Sequence, residues 1–139
     1  LVQYLRHASR AYIFSAALPP AQAAAANEAF KVILDEPWRI EKVNANGKQF
    51  INGLKGAGFD TMLTTTAIVP VLCGTDERAY KLTQVCQHRD LFVLPVVSPA
   101  VPEGQARLRA TVTAAHEPKE IDYALGVIAT AGREIGIIQ

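Results

Sequence analysis

Leu91 to Thr113 reads LFVLPVVSPAVPEGQARLRATVT. Two strand patterns lie in it, on either side of a stiff turn. Leu91–Val97 is a short apolar run rich in β-branched and aromatic residues. Ser98 to Gly104, SPAVPEG, restrains the backbone with two prolines and a glycine. Ala106–Thr113 then alternates cleanly: Leu108, Ala110 and Val112 face one way, and Arg107, Arg109, Thr111 and Thr113 face the other. A strand with one apolar and one polar face belongs to a sheet covered on one side only.

Working outward, Thr66–Cys73 (TAIVPVLC) reads as a third strand, and Pro70 predicts an edge position or a bulge. Gly74 and Thr75 turn the chain into a helix over 76–87. Its first-turn Asp76 and Glu77 complement the helix dipole, with Ala79, Leu82 and Cys86 inward. A last helix starts near Pro118 and buries Ile121, Leu125 and Ile128; the GREIGIIQ tail continues as helix or as extended chain. Towards the N-terminus, Val2–Arg10 reads as the end of a helix. After Pro19-Pro20 an alanine-rich helix runs to about Leu34, suited to an interface or simply a strong helix former. Ile40, Val43, Gly47, Phe50 or Ile51 and Leu54 recur at helical spacing over 37–56, and these two helices can be read together as one long, kinked rod. Helices, strand, helix, strand, strand, helix predict an α+β two-layer domain with a mostly antiparallel sheet and helices on one face.

The 139 residues suit one domain, and 50% hydrophobic with 19% charged is enough to bury a core. A net charge of +1 without a basic run argues against nucleic acid and membrane surfaces as partners, and no apolar stretch approaches the roughly 20 residues that span a bilayer. Cys73 and Cys86 lack CxxC spacing and read as reduced core thiols of a cytoplasmic protein. His7, His88 and His116 are far apart, so no metal site is expected; His116 is expected to hydrogen-bond at the start of the last helix. No dinucleotide fingerprint, phosphate loop, HExxH or GxSxG is present. The chain opens in mid-pattern without Met and is expected to be a fragment.

Two candidates carry chemistry. The arginine face of the third strand, just after the proline loop, suits a carboxylate, because a guanidinium fork matches two carboxylate oxygens; the alternative is a solvated face with structural ion pairs. Ser15, after Tyr12-Ile13-Phe14, offers a hydroxyl to a phosphate, or serves an ordinary turn.

Several of these segments together resemble one family. SRAYIFSAALPPAQAAAA, EPWRIEKVNANGKQFINGLKGAGFD, TAIVPVLCG and PVVSPAVPEGQARLRATVTAAHEPKEID, in this order, are similar to the pyridoxal-phosphate-dependent α-oxoamine synthases, from about residue 4 to residue 138. The resemblance implies the small C-terminal domain of an aspartate-aminotransferase-type (fold type I) enzyme, with residues 1–18 linking to a missing N-terminal cofactor domain and 19–139 as the α+β core. It implies a homodimer that condenses an amino acid with an acyl-CoA, mostly with loss of carbon dioxide, to a 2-amino-ketone. Arg109 would bind the substrate α-carboxylate, Ser15 would reach the cofactor phosphate of the neighbouring subunit with Phe14 beside it, and residues 98–104 would line the substrate entrance. Arg107 would support the strand. Two departures stand out: some members carry an arginine where Ser98 stands, and none of the six lysines has the Ser-x-x-Lys context of the cofactor lysine. The fragment alone is therefore expected to be inactive. An aminotransferase on the same fold and a non-catalytic binding or dimerisation module are the competing readings.

Overall fold

The computed structural model describes residues 1–15 and 18–139 as two compact units, Leu1–Pro37 and Trp38–Gln139. The first unit is helical: α1 (Val2–Ala8), α2 (Arg10–Ile13) and α3 (Pro20–Asp35). Ser9 is extended (φ −80, ψ 111) and divides the helix expected over 2–10. Pro20 takes the first turn of α3, where a missing N–H costs nothing. None of these helices has a buried residue, and Phe30 and Leu34 on α3 stand exposed.

The second unit contains α4 (Trp38–Gly56), β1 (Ile68–Gly74), α5 (Asp76–Gln87), β2 (Leu94–Val96), β3 (Ala106–Thr111) and α6 (Pro118–Ile135). The sheet order is β1-β3-β2, with both pairings antiparallel. The expected two-layer α+β architecture is therefore present.

Hydrogen-bond parity explains how two prolines fit a three-stranded sheet. The Val112 N–H donates to the Ala67 carbonyl at 2.8 Å. In this register Ala110–Val69 and Leu108–Val71 are also hydrogen-bonded pairs, while Arg109–Pro70 is not. The nitrogen of Pro70 thus faces the outer edge of β1, as an edge proline should. Neighbouring Leu72 confirms the parity, since its N–H leaves the sheet for the Asp60 carbonyl at 3.0 Å. Pro95 sits opposite Leu108, by the same count a pair without hydrogen bonds.

Leu108, Ala110 and Val112 do face inward, with Val69, Val71 and Cys73 beside them. They meet Ala79, Leu82 and Cys86 of α5, Ile121, Ile128 and Ala131 of α6, and Phe50 and Leu54 of α4. Both thiols are buried and free. Gly132 of α6 packs so closely that an added Cβ would lie 2.3 Å from the Phe59 ring. Gly136 (φ 74) ends α6, and the Ile137 N–H turns back to the Gly132 carbonyl at 2.8 Å, which decides the tail between the two expected courses.

Three expectations need correction. The strand read over 91–97 forms only at 94–96. Asp90 takes a left-handed conformation (φ 55), and the Leu91 N–H closes α5 on the Cys86 carbonyl, which diverts residues 91–93 from the sheet. The strand read over 106–113 ends at Thr111, because Thr113 enters a tight turn to His116. The apolar stripe of α4 holds at Gly47, Phe50, Ile51 and Leu54, with Val43 half-buried, but not at its first position: Ile40 is 46% exposed, and the polar Asn46 is buried beside the stripe.

Candidate functional site

β3 carries the strongest candidate. Side chains at the same register on neighbouring strands share a face, so Arg109 stands between Pro70 and Leu94, and Arg107 between Leu72 and Val96. This face is opposite the helices. The two arginines differ in what they touch. Arg107 is half-buried and occupied: Nε donates to the Gln105 carbonyl at 2.9 Å, Nη2 to Gln105 Oε1 at 3.1 Å, and Nη1 approaches Met62 Sδ at 2.9 Å. Arg109 is exposed and has no hydrogen bond or ion pair among the described residues. Its fork is presented from a rigid strand between two side chains that cannot hydrogen-bond. A planar, doubly accepting anion is the ligand whose shape and charge match it.

The proline loop joins β2 to β3 at one end of this face. The Ser98–Pro99 peptide is cis, the Ser98 N–H points to Asp76 Oδ1 at 3.4 Å, and Gly104 takes φ +76. Residues 98–100 and 102–104 are exposed.

Ser15 and Phe14 belong to the first unit. The Ser15 hydroxyl donates to the Tyr12 carbonyl at 2.8 Å, which closes the turn after α2, and Phe14 is 84% exposed. A serine hydroxyl rotates readily, so this bond leaves the group available to a stronger acceptor.

His116 acts one step earlier than expected. Its Nδ1 accepts from the Thr113 N–H at 3.1 Å, within the turn before α6, while α6 itself is capped by a reciprocal Glu117–Glu120 box. Sequence reading missed the residue that holds this turn. Asn46 Nδ2 donates to the carbonyls of Thr113 and His116 at 3.0 and 2.9 Å. The one signal was a polar side chain at helical spacing within an apolar stripe.

Charge elsewhere is ordinary. Lys42 meets Glu117 at 2.7 Å and holds its carboxyl below the usual range, as Lys81 does for Glu77. Burial pushes the Cys73 and Cys86 thiols up to about 11. Among the described residues no three His, Cys, Asp or Glu side chains gather as metal ligands, and no helix is long and apolar enough to cross a membrane. Five of the six lysines are exposed and Lys42 is half-buried. The donors present suit the anionic groups of a pyridoxal-phosphate-dependent reaction, a carboxylate at Arg109 and a phosphate at Ser15; none of the six lysines is buried, as one held for covalent attachment of an aldehyde would be.

The sheet and the helices behind it have counterparts in known proteins. Residues 1–128 match the model of the aminotransferase class I and II family, and the chain belongs to that family. Within it the matches are α-oxoamine synthases. The protein named 8-amino-7-oxononanoate synthase 1 of Bacillus velezensis is 39% identical over 99% of this chain, and the 8-amino-7-oxononanoate synthase of Symbiobacterium thermophilum is 38% identical over the same share. Among solved structures, serine palmitoyltransferase from S. paucimobilis, with a bound PLP–myriocin aldimine, superposes with a TM-score of 0.90 at 33% identity over 98% of this chain. The chain spans 35% of the length of each of these three proteins.

Proposed function

We propose that these residues are the C-terminal part of a pyridoxal-phosphate-dependent acyltransferase that condenses an amino acid with an acyl-CoA to a 2-amino-ketone. The observation that carries the reading is the unpaired fork of Arg109 between Pro70 and Leu94, in a chain whose relatives are named for this chemistry. Pyridoxal phosphate, when bound, supplies the electron sink for the carbanion at Cα.

The residues of this chain bind and orient. Arg109 takes the α-carboxylate of the amino acid in a two-point grip, which fixes rotation about the Cα–N bond and so selects the bond at Cα that breaks. Ser15 donates its hydroxyl to the cofactor phosphate of the neighbouring subunit in a homodimer, with Phe14 beside it. Residues 98–104 line the substrate entrance, and Arg107, tied to Gln105, stiffens the strand. Residues 1–18 lead from an N-terminal cofactor domain that supplies the lysine, residues 19–139 form the α+β core, and residues 1–139 by themselves are inactive. The setting is cytoplasmic.

Amino-acid kinetics of Arg109→Ala in the full-length protein test the assignment. The KM for the amino acid is expected to rise strongly while pyridoxal phosphate still loads; unchanged amino-acid kinetics would overturn it. A full-length protein that needs a keto-acid acceptor and releases no coenzyme A would be an aminotransferase on the same fold. One that binds no cofactor would be a non-catalytic module.

A further inference from the structure

Residues 60–66 run along the outer edge of β1. The Asp60 carbonyl accepts the Leu72 N–H at 3.0 Å, and the Thr64 and Thr66 hydroxyls donate to the Ile68 carbonyl at 3.0 and 3.4 Å. Between these ties Met62 lies level with Pro70, the cross-strand neighbour of Arg109. Thr61 is buried, and Met62 next to it turns out onto the arginine face, where its Sδ meets Arg107 Nη1 at 2.9 Å. Met62 does so from a left-handed backbone (φ 56), a conformation rare for a side chain of this kind. Such a conformation persists only where its surroundings impose it. Two contacts do so here: Asp60 Oδ1 accepts the Met62 N–H at 2.7 Å, and Arg107 holds the thioether. The same guanidinium is tied to Gln105 through its other nitrogens, so the thioether rests against a fixed group.

We infer that Met62 is a specificity-determining residue of the Arg109 site and that Arg107 is its positioning residue. With a carboxylate in the Arg109 fork, Cα of the amino acid is one bond further out, and its substituents lie over the row Leu94–Arg109–Pro70. Leu94 bounds that row on the β2 side. Pro70 is compact and its ring is fixed, so the boundary on the β1 side falls to Met62, the next side chain outward. Met62 therefore limits the size of the side chain that Cα can carry, and Arg107 sets where that limit stands. The inference deepens the proposed reaction and rests on it.

The test measures kcat/KM of the full-length protein for glycine, alanine, 2-aminobutyrate and norvaline at saturating acyl-CoA. Met62→Gly removes the wall and suits the left-handed backbone, so the fold is kept. It is expected to raise the ratio of kcat/KM for norvaline over glycine by about tenfold, the low end of what one methylene is worth in a fitted pocket. Arg107→Ala is expected to raise the same ratio, and the double variant to go no further than Met62→Gly alone, since both act through one contact. An unchanged ratio in either single variant, or effects that simply add, would overturn the inference; a purely structural loss would lower all four amino acids together. Hydrogen exchange reads the tie without turnover. In Arg107→Ala the Leu72 amide, bonded to Asp60, should exchange about tenfold faster, while the Val112 amide, bonded to Ala67, keeps its rate. Leu72 exchange at the wild-type rate would overturn the positioning role. Wild-type protein that releases no coenzyme A with any amino acid counts against the proposed reaction; release with an unchanged ratio in the variants counts against this inference alone.

Discussion

Arg107 and Arg109 share one face of one strand, yet Arg107 is tied to Gln105 and Met62 while Arg109 has no partner among the described residues. Arg109→Ala should therefore leave stability within about 0.5 kcal/mol of wild type, as for a surface change that breaks nothing. Loss of its charge-assisted bonds to a carboxylate, about 1.5–3 kcal/mol, should raise the amino-acid KM roughly tenfold to a hundredfold. Arg109→Lys should recover only part, since a point charge cannot grip two oxygens. Equal losses for Arg107→Ala and Arg109→Ala in steady-state kinetics would contradict the division of labour. The two thiols give a second residue-scale prediction. With pKa values near 11, Cys73 and Cys86 should react slowly with a disulfide reagent at pH 8 in the native protein and quickly in denaturant; fast native labelling would show that the core opens. The arginine face was legible because alternation alone assigns faces. Asn46 was not, because its partners lie 67 and 70 residues away. Asn46→Ala should cost about 1–3 kcal/mol in urea unfolding, the cost of leaving its carbonyl partners without a donor.

At the scale of elements, α6 contains two glycines with opposite expectations. Gly132→Ala drives a methyl into the Phe59 ring and should destabilise by about 1–3 kcal/mol, whereas Gly126 has nothing within 4 Å of an added Cβ, and Gly126→Ala should stabilise by about 0.5–1 kcal/mol through helix propensity. Thermal melts of both variants check the packing. The N-terminus of α6 adds a pH dependence. Lys42 lowers the folded pKa of Glu117, so their pairing stabilises above the unfolded value and is lost as pH falls through the folded one. Glu117→Gln keeps a capping oxygen and removes the charge, so the gap in melting temperature between wild type and variant should narrow on acidification. Periodicity located α5 and β3 well because their faces are sharply apolar or polar. It overextended β2, since an apolar run says nothing about pairing and the left-handed turn at Asp90 redirects residues 91–93. It missed Asn46 on the inner face of α4, because propensity and spacing do not reveal that a turn elsewhere needs a buried amide.

For the whole molecule, the two-layer domain and its family membership both follow from patterns spread over most of the chain, and they agree with superposition on the solved serine palmitoyltransferase. The helices of the first unit have no buried residues, and the arginine face of the second is exposed at Arg109; the chain spans 35% of the length of its relatives. The catalytic reading therefore belongs to the full-length protein. The measurement that tests it most directly is coenzyme A release by that protein with pyridoxal phosphate, an acyl-CoA, and glycine, alanine or serine supplied in turn. The account predicts release that needs both the amino acid and the acyl-CoA, with the amino-acid requirement shifted to much higher concentration by Arg109→Ala. A folded, cofactor-loaded protein that releases no coenzyme A with any of these, or whose release is indifferent to Arg109, would contradict it.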